Sequence, residues 1–200
     1  MLKKDLSKNQ WIYTNTPDNQ ARFLLGEKGN KTLICIGINP STAEPEKLDR
    51  TLSTVKRYSQ DLGYDSWMML NIYPQRATNP DDLDNELNIE YHKENLRQIE
   101  TIFSQGNHDI WAAWGTLIQK RAYLKSCLEG IVKIAERYNC KWYSMGEPTK
   151  EGHPHHPLYL KKNLSLEPID INGYMSERKC IFEKIGRFKS KIGCVRRVGI

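Results

Sequence analysis

The chain has 200 residues, with 30 Lys and Arg against 24 Asp and Glu, a length that suits one domain able to bury a full core. No apolar run approaches the roughly 18 residues of a membrane-spanning helix, and the start, MLKKDLSKNQ, lacks the apolar stretch of a signal peptide. A soluble, cytoplasmic protein with no membrane partner is expected. Cys35, Cys127, Cys140, Cys180 and Cys194 are odd in number and form no C-x-x-C pair. That pattern disfavours a disulfide framework, a zinc ribbon or a clustered iron–sulfur site, and the cysteines read as reduced thiols.

In chain order, Trp11 to Tyr13 and Ala21 to Leu25 read as a β-hairpin at the sheet edge, and Gly29-Asn30 supplies turn chemistry before the next strand. Lys31 to Ile36 carries the continuous apolar run Leu33, Ile34, Cys35, Ile36, the pattern of a strand covered on both faces. It stops at Gly37-Ile38-Asn39-Pro40 and opens into Ser41, Thr42 and Ala43, a loop at a strand's carboxyl end, where ligands of open α/β sheets bind. Asp49 to Gly63 spaces Leu52, Val55, Tyr58 or Ser59, and Leu62 at helical intervals, with Asp49 suited to the N-cap and Gly63 to the C-cap. Trp67 to Ile72 is a second buried strand, delivering the polar loop Tyr73 to Pro80.

Leu96, Ile99 and Phe103 predict a helix over Glu90 to Phe103, ended at Gln105-Gly106-Asn107. Ile110 to Trp114 is the third strand, with Trp111 and Trp114 expected in the core. A helix is expected from Gly115-Thr116 to about Leu128, then a fourth strand, Lys141 to Ser144, and a histidine-bearing loop, Met145 to Leu160. This alternation predicts an α/β fold with a mostly parallel sheet and helices on both faces. A single domain over residues 1–174 is expected, followed by a tail over 175–200.

That tail holds the whole charge excess: Arg178, Lys179, Lys184, Arg187, Lys189, Lys191, Arg196 and Arg197 against Glu177 and Glu183. A basic tail is the usual electrostatic footprint of a nucleic-acid partner, and equally the composition of a merely solvated one. Cys180 to Phe188 is long enough for one or two amphipathic turns.

Three loops would meet at one end of the sheet. The first supplies Asn39, Ser41 and Thr42, able to orient a water or bind a polar ligand edge. The second supplies Asn71, Gln75, Arg76 and Asn79; Arg76 suits a phosphate or carboxylate, or a pairing with Asp81 or Asp82. The third supplies His153, His155 and His156 as donors to a developing anion or as proton carriers. Glu44, Asp49 and Glu147 are the nearby carboxylates. The histidines have no carboxylate or cysteine at metal-ligand spacing, so neither metal nor other cofactor is expected. A Gly-rich phosphate loop, a serine nucleophile elbow and an H-E-x-x-H pair are all absent from the sequence.

The order GINPSTA, DRTLSTVKRY, LNIYPQRATNPDDL, WAAWG, GHPHHPLYL resembles the bacterial and phage family called domain of unknown function 1643, from about Arg22 to Tyr159. Gly37 to Pro40 is also similar to the first motif of the uracil-DNA glycosylase superfamily. Asn71 to Pro80 resembles that superfamily's Asn-Val-x-x-x-Arg-Pro stretch, Ala113-Trp114-Gly115 its strand end, and His156-Pro157-Leu158 the start of its late His-Pro-Ser motif. This second resemblance implies a three-layer αβα sandwich and cleavage of an N-glycosidic bond in DNA, RNA or a nucleotide-like small molecule. Asn39 would occupy the water-positioning place, and His156, or His153, the place that stabilises the departing base. Gly37, Pro40, Ser41, Thr42, Asn71, Arg76 and Asn79 would line the substrate site. The acidic residue of many first motifs is Asn here, a base-stacking Tyr or Phe has no secure counterpart, and the iron–sulfur cysteines are absent. The rival expectation is a non-catalytic nucleotide or nucleic-acid binding module.

Overall fold

A computed structural model describes residues 10–161 and 164–177. The basic residues from Arg178 to Arg197 and the Cys180 to Phe188 stretch lie outside the described residues. Two compact units divide the chain, Met1–Pro168 and Ile169–Ile200. In the described part of the second, residues 171–177 are helical, and the Asp170 carboxylate accepts from the Asn172 and Gly173 amides at 3.1 and 3.0 Å, as an N-cap does.

The first unit is α/β. Its strands are β1 (Trp11–Asn15), β2 (Arg22–Glu27), β3 (Thr32–Gly37), β4 (Ser66–Asn71), β5 (Asp109–Ala112), β6 (Lys141–Met145) and β7 (Leu166–Pro168). They form one sheet in the order β1-β2-β4-β3-β5-β6-β7. β4, β3, β5 and β6 run parallel; β1 with β2, β2 with β4, and β6 with β7 are antiparallel. The sheet is therefore mixed, with a parallel centre and antiparallel flanks. β1 and β2 form the hairpin at its edge, turning at residues 16–21, whereas Gly29-Asn30 leads to a strand that β2 does not touch, because β4 lies between.

The helices are α1 (Arg50–Asp61), α2 (Ile89–Phe103) and α3 (Tyr123–Arg137). Asp49 caps α1 by accepting from Leu52 N at 2.9 Å, and Gly63, at φ +77°, follows its last turn in the left-handed conformation that glycine adopts without strain. α1 buries Leu52, Val55 and Tyr58 against Leu25, Leu33, Cys35, Trp67, Met69 and Trp111, each such side chain contributing about 1.5–3 kcal/mol. The alternate residues Ile34, Ile36, Met68, Leu70 and Ile110 are buried too, which is why these strands read as unbroken apolar runs.

The helix expected from Gly115 starts later and runs further. Gly115 sits at φ +62°, Gly115–Gln119 tightens into a 3-10 turn, and α3 begins only at Tyr123. Its inward stripe then continues past Leu128 through Ile131, Val132 and Ala135. Gly130 lets α2 approach closely, since a Cβ there would stand 3.2 Å from the Leu96 side chain.

Candidate functional site

The loops after β3 and β4 are zipped together. Because Gly37 pairs with Asn71 in parallel register, the ladder runs on past the strands. Ile72 N donates to Gly37 O, Tyr73 N to Ile38 O and Ala77 N to Pro40 O, each at 2.9 Å. The Asn39 amide nitrogen donates to Pro40 O at 3.0 Å and to Ala77 O at 2.8 Å, and the Ser41 and Thr78 hydroxyls meet at 3.1 Å. Both Asn39 amide hydrogens are thus spent on the loops, which leaves Oδ1 as its acceptor for a ligand or water.

Two guanidiniums converge behind this zipper. β1 and β2 shift register between Thr14, opposite Leu24, and Asn15, opposite Arg22, so that Phe23 is the extra residue of a β-bulge. The bulge turns Arg22 to the face that Tyr13 and Leu25 share with α1. Arg22 is 0 % exposed; its Nη1 donates to Ala43 O at 3.1 Å, while Nε and Nη2 are buried without a partner. Arg76 donates to Ser41 O, to Ala43 O at 3.4 Å and to Tyr13 Oη at 2.8 Å, with Nε buried and unpartnered. Burial, then the charge of Arg76, pulls the Arg22 guanidinium down to about 10, against an opposing pull from Asp49 and Tyr13.

At the end of β4, Asn71 is also 0 % exposed, and neither its Nδ2 nor its Oδ1 has a partner. By strand alternation it shares the face of Trp67 and Met69. Gly37, opposite, keeps the space clear: a Cβ there would stand 2.5 Å from Met69 Cε and 3.4 Å from Asn71 Oδ1. Asn95, buried on α2, donates to the main-chain carbonyls of Asn71 at 2.9 Å and Ile72 at 3.3 Å and so clamps the strand end.

The histidine loop crosses the end of β5. Gly115 N donates to Pro154 O at 2.9 Å, a Cβ on Gly115 would stand 3.3 Å from His156 Cβ, and the Tyr58 hydroxyl on α1 donates to Lys161 O at 2.5 Å. His156 Nδ1 accepts from Leu158 N at 3.4 Å, which places the imidazole proton on Nε2. Burial pushes His156 below the usual histidine value, and Asp49 pushes it back up in part. Asp49 therefore bears on both Arg22 and His156 from the start of α1.

Not every expected residue faces this centre. His153 is buried, with Nε2 against the Gln119 amide of the 3-10 turn after β5, and its main chain pairs with Thr149. Asn79 caps the 3-10 turn Pro80–Asp82 by accepting from Asp81 N at 3.1 Å, and Pro40 is buried under the loop. Ser41, Thr42 and Arg76 line a cavity of about 290 Å³ together with Asn19, Glu44 and Thr78. Trp111 and Trp114 are core residues. Sequence reasoning missed Arg22 and Asn95. The one signal for Arg22 is a charged residue inside the apolar run Ala21 to Leu25.

Among the described residues no group of three His, Cys, Asp or Glu side chains is placed to hold a metal ion, and no helix is long and apolar enough to cross a membrane. An α/β sheet with a bare buried amide at the end of β4, one buried and one half-buried guanidinium beside it on β2 and the β4 loop, and a mostly buried imidazole by the end of β5 has the layout of a polar-ligand site. The chain belongs to the family described as Protein of unknown function (DUF1643), which matches residues 22–158. No curated protein and no solved structure matches it.

Proposed function

We propose that this protein is a nucleotide- or nucleic-acid-directed enzyme that hydrolyses an N-glycosidic bond, on a three-layer fold of the uracil-DNA-glycosylase kind. Asn71 carries the reading: a fully buried amide whose donor and acceptor are both unpartnered complements the donor–acceptor edge of a nucleobase. In hydrolysis the bond between C1′ and the base nitrogen breaks, water oxygen joins C1′, and the departing base takes a proton. His156 Nε2–H hydrogen-bonds the departing base anion, Asn39 Oδ1 orients the water, and the proton that the water sheds on joining C1′ reaches the base through solvent. The basic residues from Arg178 to Arg197 add salt-dependent affinity for a polyanion.

The test is base release from single-stranded and duplex DNA and RNA carrying uracil, mismatches and modified pyrimidines. His156→Ala is expected to slow release about 10²–10³-fold, as loss of one donor to a developing anion does. Release that survives both Asn39→Ala and His156→Ala would refute these roles. Asp49 favours a second reading: the carboxylate that acts on His156 is occupied in capping α1. A non-catalytic binding module would then bind base or nucleotide through Asn71 and release nothing.

A further inference from the structure

We propose that Arg22, with Arg76, forms an oxyanion site that takes a phosphate group on the Nε/Nη2 edge of Arg22. That edge presents two parallel N–H donors at the spacing of two phosphate oxygens, the fork by which arginine holds such groups bidentately. In this protein both of its nitrogens are buried and unpartnered, on a side chain that is 0 % exposed. A guanidinium left so is costly unless something anionic completes it.

Neighbouring groups do not complete it. Among the described residues neither Arg22 nor Arg76 forms an ion pair. The Asp49 carboxylate accepts from Leu52 N, and Glu44 Oε1 accepts from Asn19 Nδ2 at 3.2 Å. The acceptor both guanidiniums share is the neutral carbonyl of Ala43, a weaker partner than a phosphate oxygen. Arg76 connects this centre to the outside, since it lines the cavity with Ser41, Thr42 and Thr78, whose hydroxyls add donors around an incoming anion. The β-bulge at Phe23 is the device that turns Arg22 inward, and bulges recur where a strand must re-aim one side chain.

Inorganic phosphate carries no base, so this assignment stands or falls apart from the nucleobase reading. The experiment is calorimetric titration of the full chain with sodium phosphate, and separately with sodium acetate, at constant ionic strength held with chloride. Arg22→Lys keeps the charge and loses the fork; Arg97→Lys, on an exposed arginine paired with Glu94 on α2, is the control. Phosphate is expected to bind the wild type and the control alike, and Arg22→Lys about tenfold or more weakly. Circular dichroism of each variant establishes that it is folded, and phosphorus NMR line broadening on the wild type gives a reading that needs no variant. Absence of phosphate binding to the wild type, or equal binding by folded Arg22→Lys, overturns the proposal. Acetate binding without phosphate binding overturns it in favour of a carboxylate ligand.

Discussion

Arg22 on β2 and Arg76 on the loop after β4 donate to one main-chain carbonyl, that of Ala43, and come together only in the folded sheet. Two like charges meeting there, without a carboxylate bonded to either, destabilise the unliganded protein. Arg22→Met keeps most of the side-chain volume and removes one charge. It is expected to raise the stability of the unliganded protein by about 1–2 kcal/mol, because a well-packed apolar replacement of a buried charge is often stabilising. Urea denaturation of both proteins in phosphate-free buffer checks this; a loss of stability would mean that the Ala43 bond outweighs the repulsion.

Under the proposed function, Asn71 sets ligand binding against stability at a single position. Its buried amide has no partner in either direction, so Asn71→Leu is expected to hold or increase stability by about 1 kcal/mol while abolishing the binding of any nucleobase ligand. Thermal unfolding and base binding, measured on the same preparation, separate the two effects. A destabilised Asn71→Leu protein would show that the amide has a structural partner.

His156 makes stability depend on pH with a defined sign. Its folded-state value lies below that of the unfolded chain, so the unfolded state binds more protons between the two. Stability is therefore lost as pH falls through the unfolded value, about 6.5, toward the lower folded one. His92 is shifted the same way by burial, so the comparison is made in a His92→Gln background, where His156→Gln should flatten this acid limb. Asp49→Asn keeps the helix cap and removes the charge that raises His156. Its His156 ring protons should titrate at still lower pH in NMR; no movement would disconnect the two residues.

Gly115 holds the turn on which the histidine loop rests. At φ +62°, with His156 Cβ 3.3 Å from the place a Cβ would take, it leaves an added methyl both backbone strain and a neighbour to displace. Gly115→Ala is expected to cost about 1–2 kcal/mol and to shift the His156 ring resonances. Unchanged His156 signals would show that the loop does not depend on this contact.

β1 to β6, α1 with its Asp49 cap, and the polar loops after β3, β4 and β6 were legible in the chain, because burial and local periodicity are written in neighbouring residues. Leu33 to Ile36 reads as a strand covered on both faces for that reason alone. The start of α3 was not legible, since the left-handed Gly115 and the 3-10 turn after it break a stripe that looks continuous from Leu117. Nor was β7, three residues long at the antiparallel edge.

Which polar groups line the candidate site depends on long-range packing. Asn39, expected to orient a water or bind a ligand edge, spends both amide hydrogens on Pro40 and Ala77, and the His153 ring turns to Gln119. Arg22 enters the site through a one-residue bulge and the pairing of β2 with β4, a partner more than forty residues away in sequence. A side chain's hydrogen-bonding state is a sum over everything folded around it, and no local pattern of residues contains that sum.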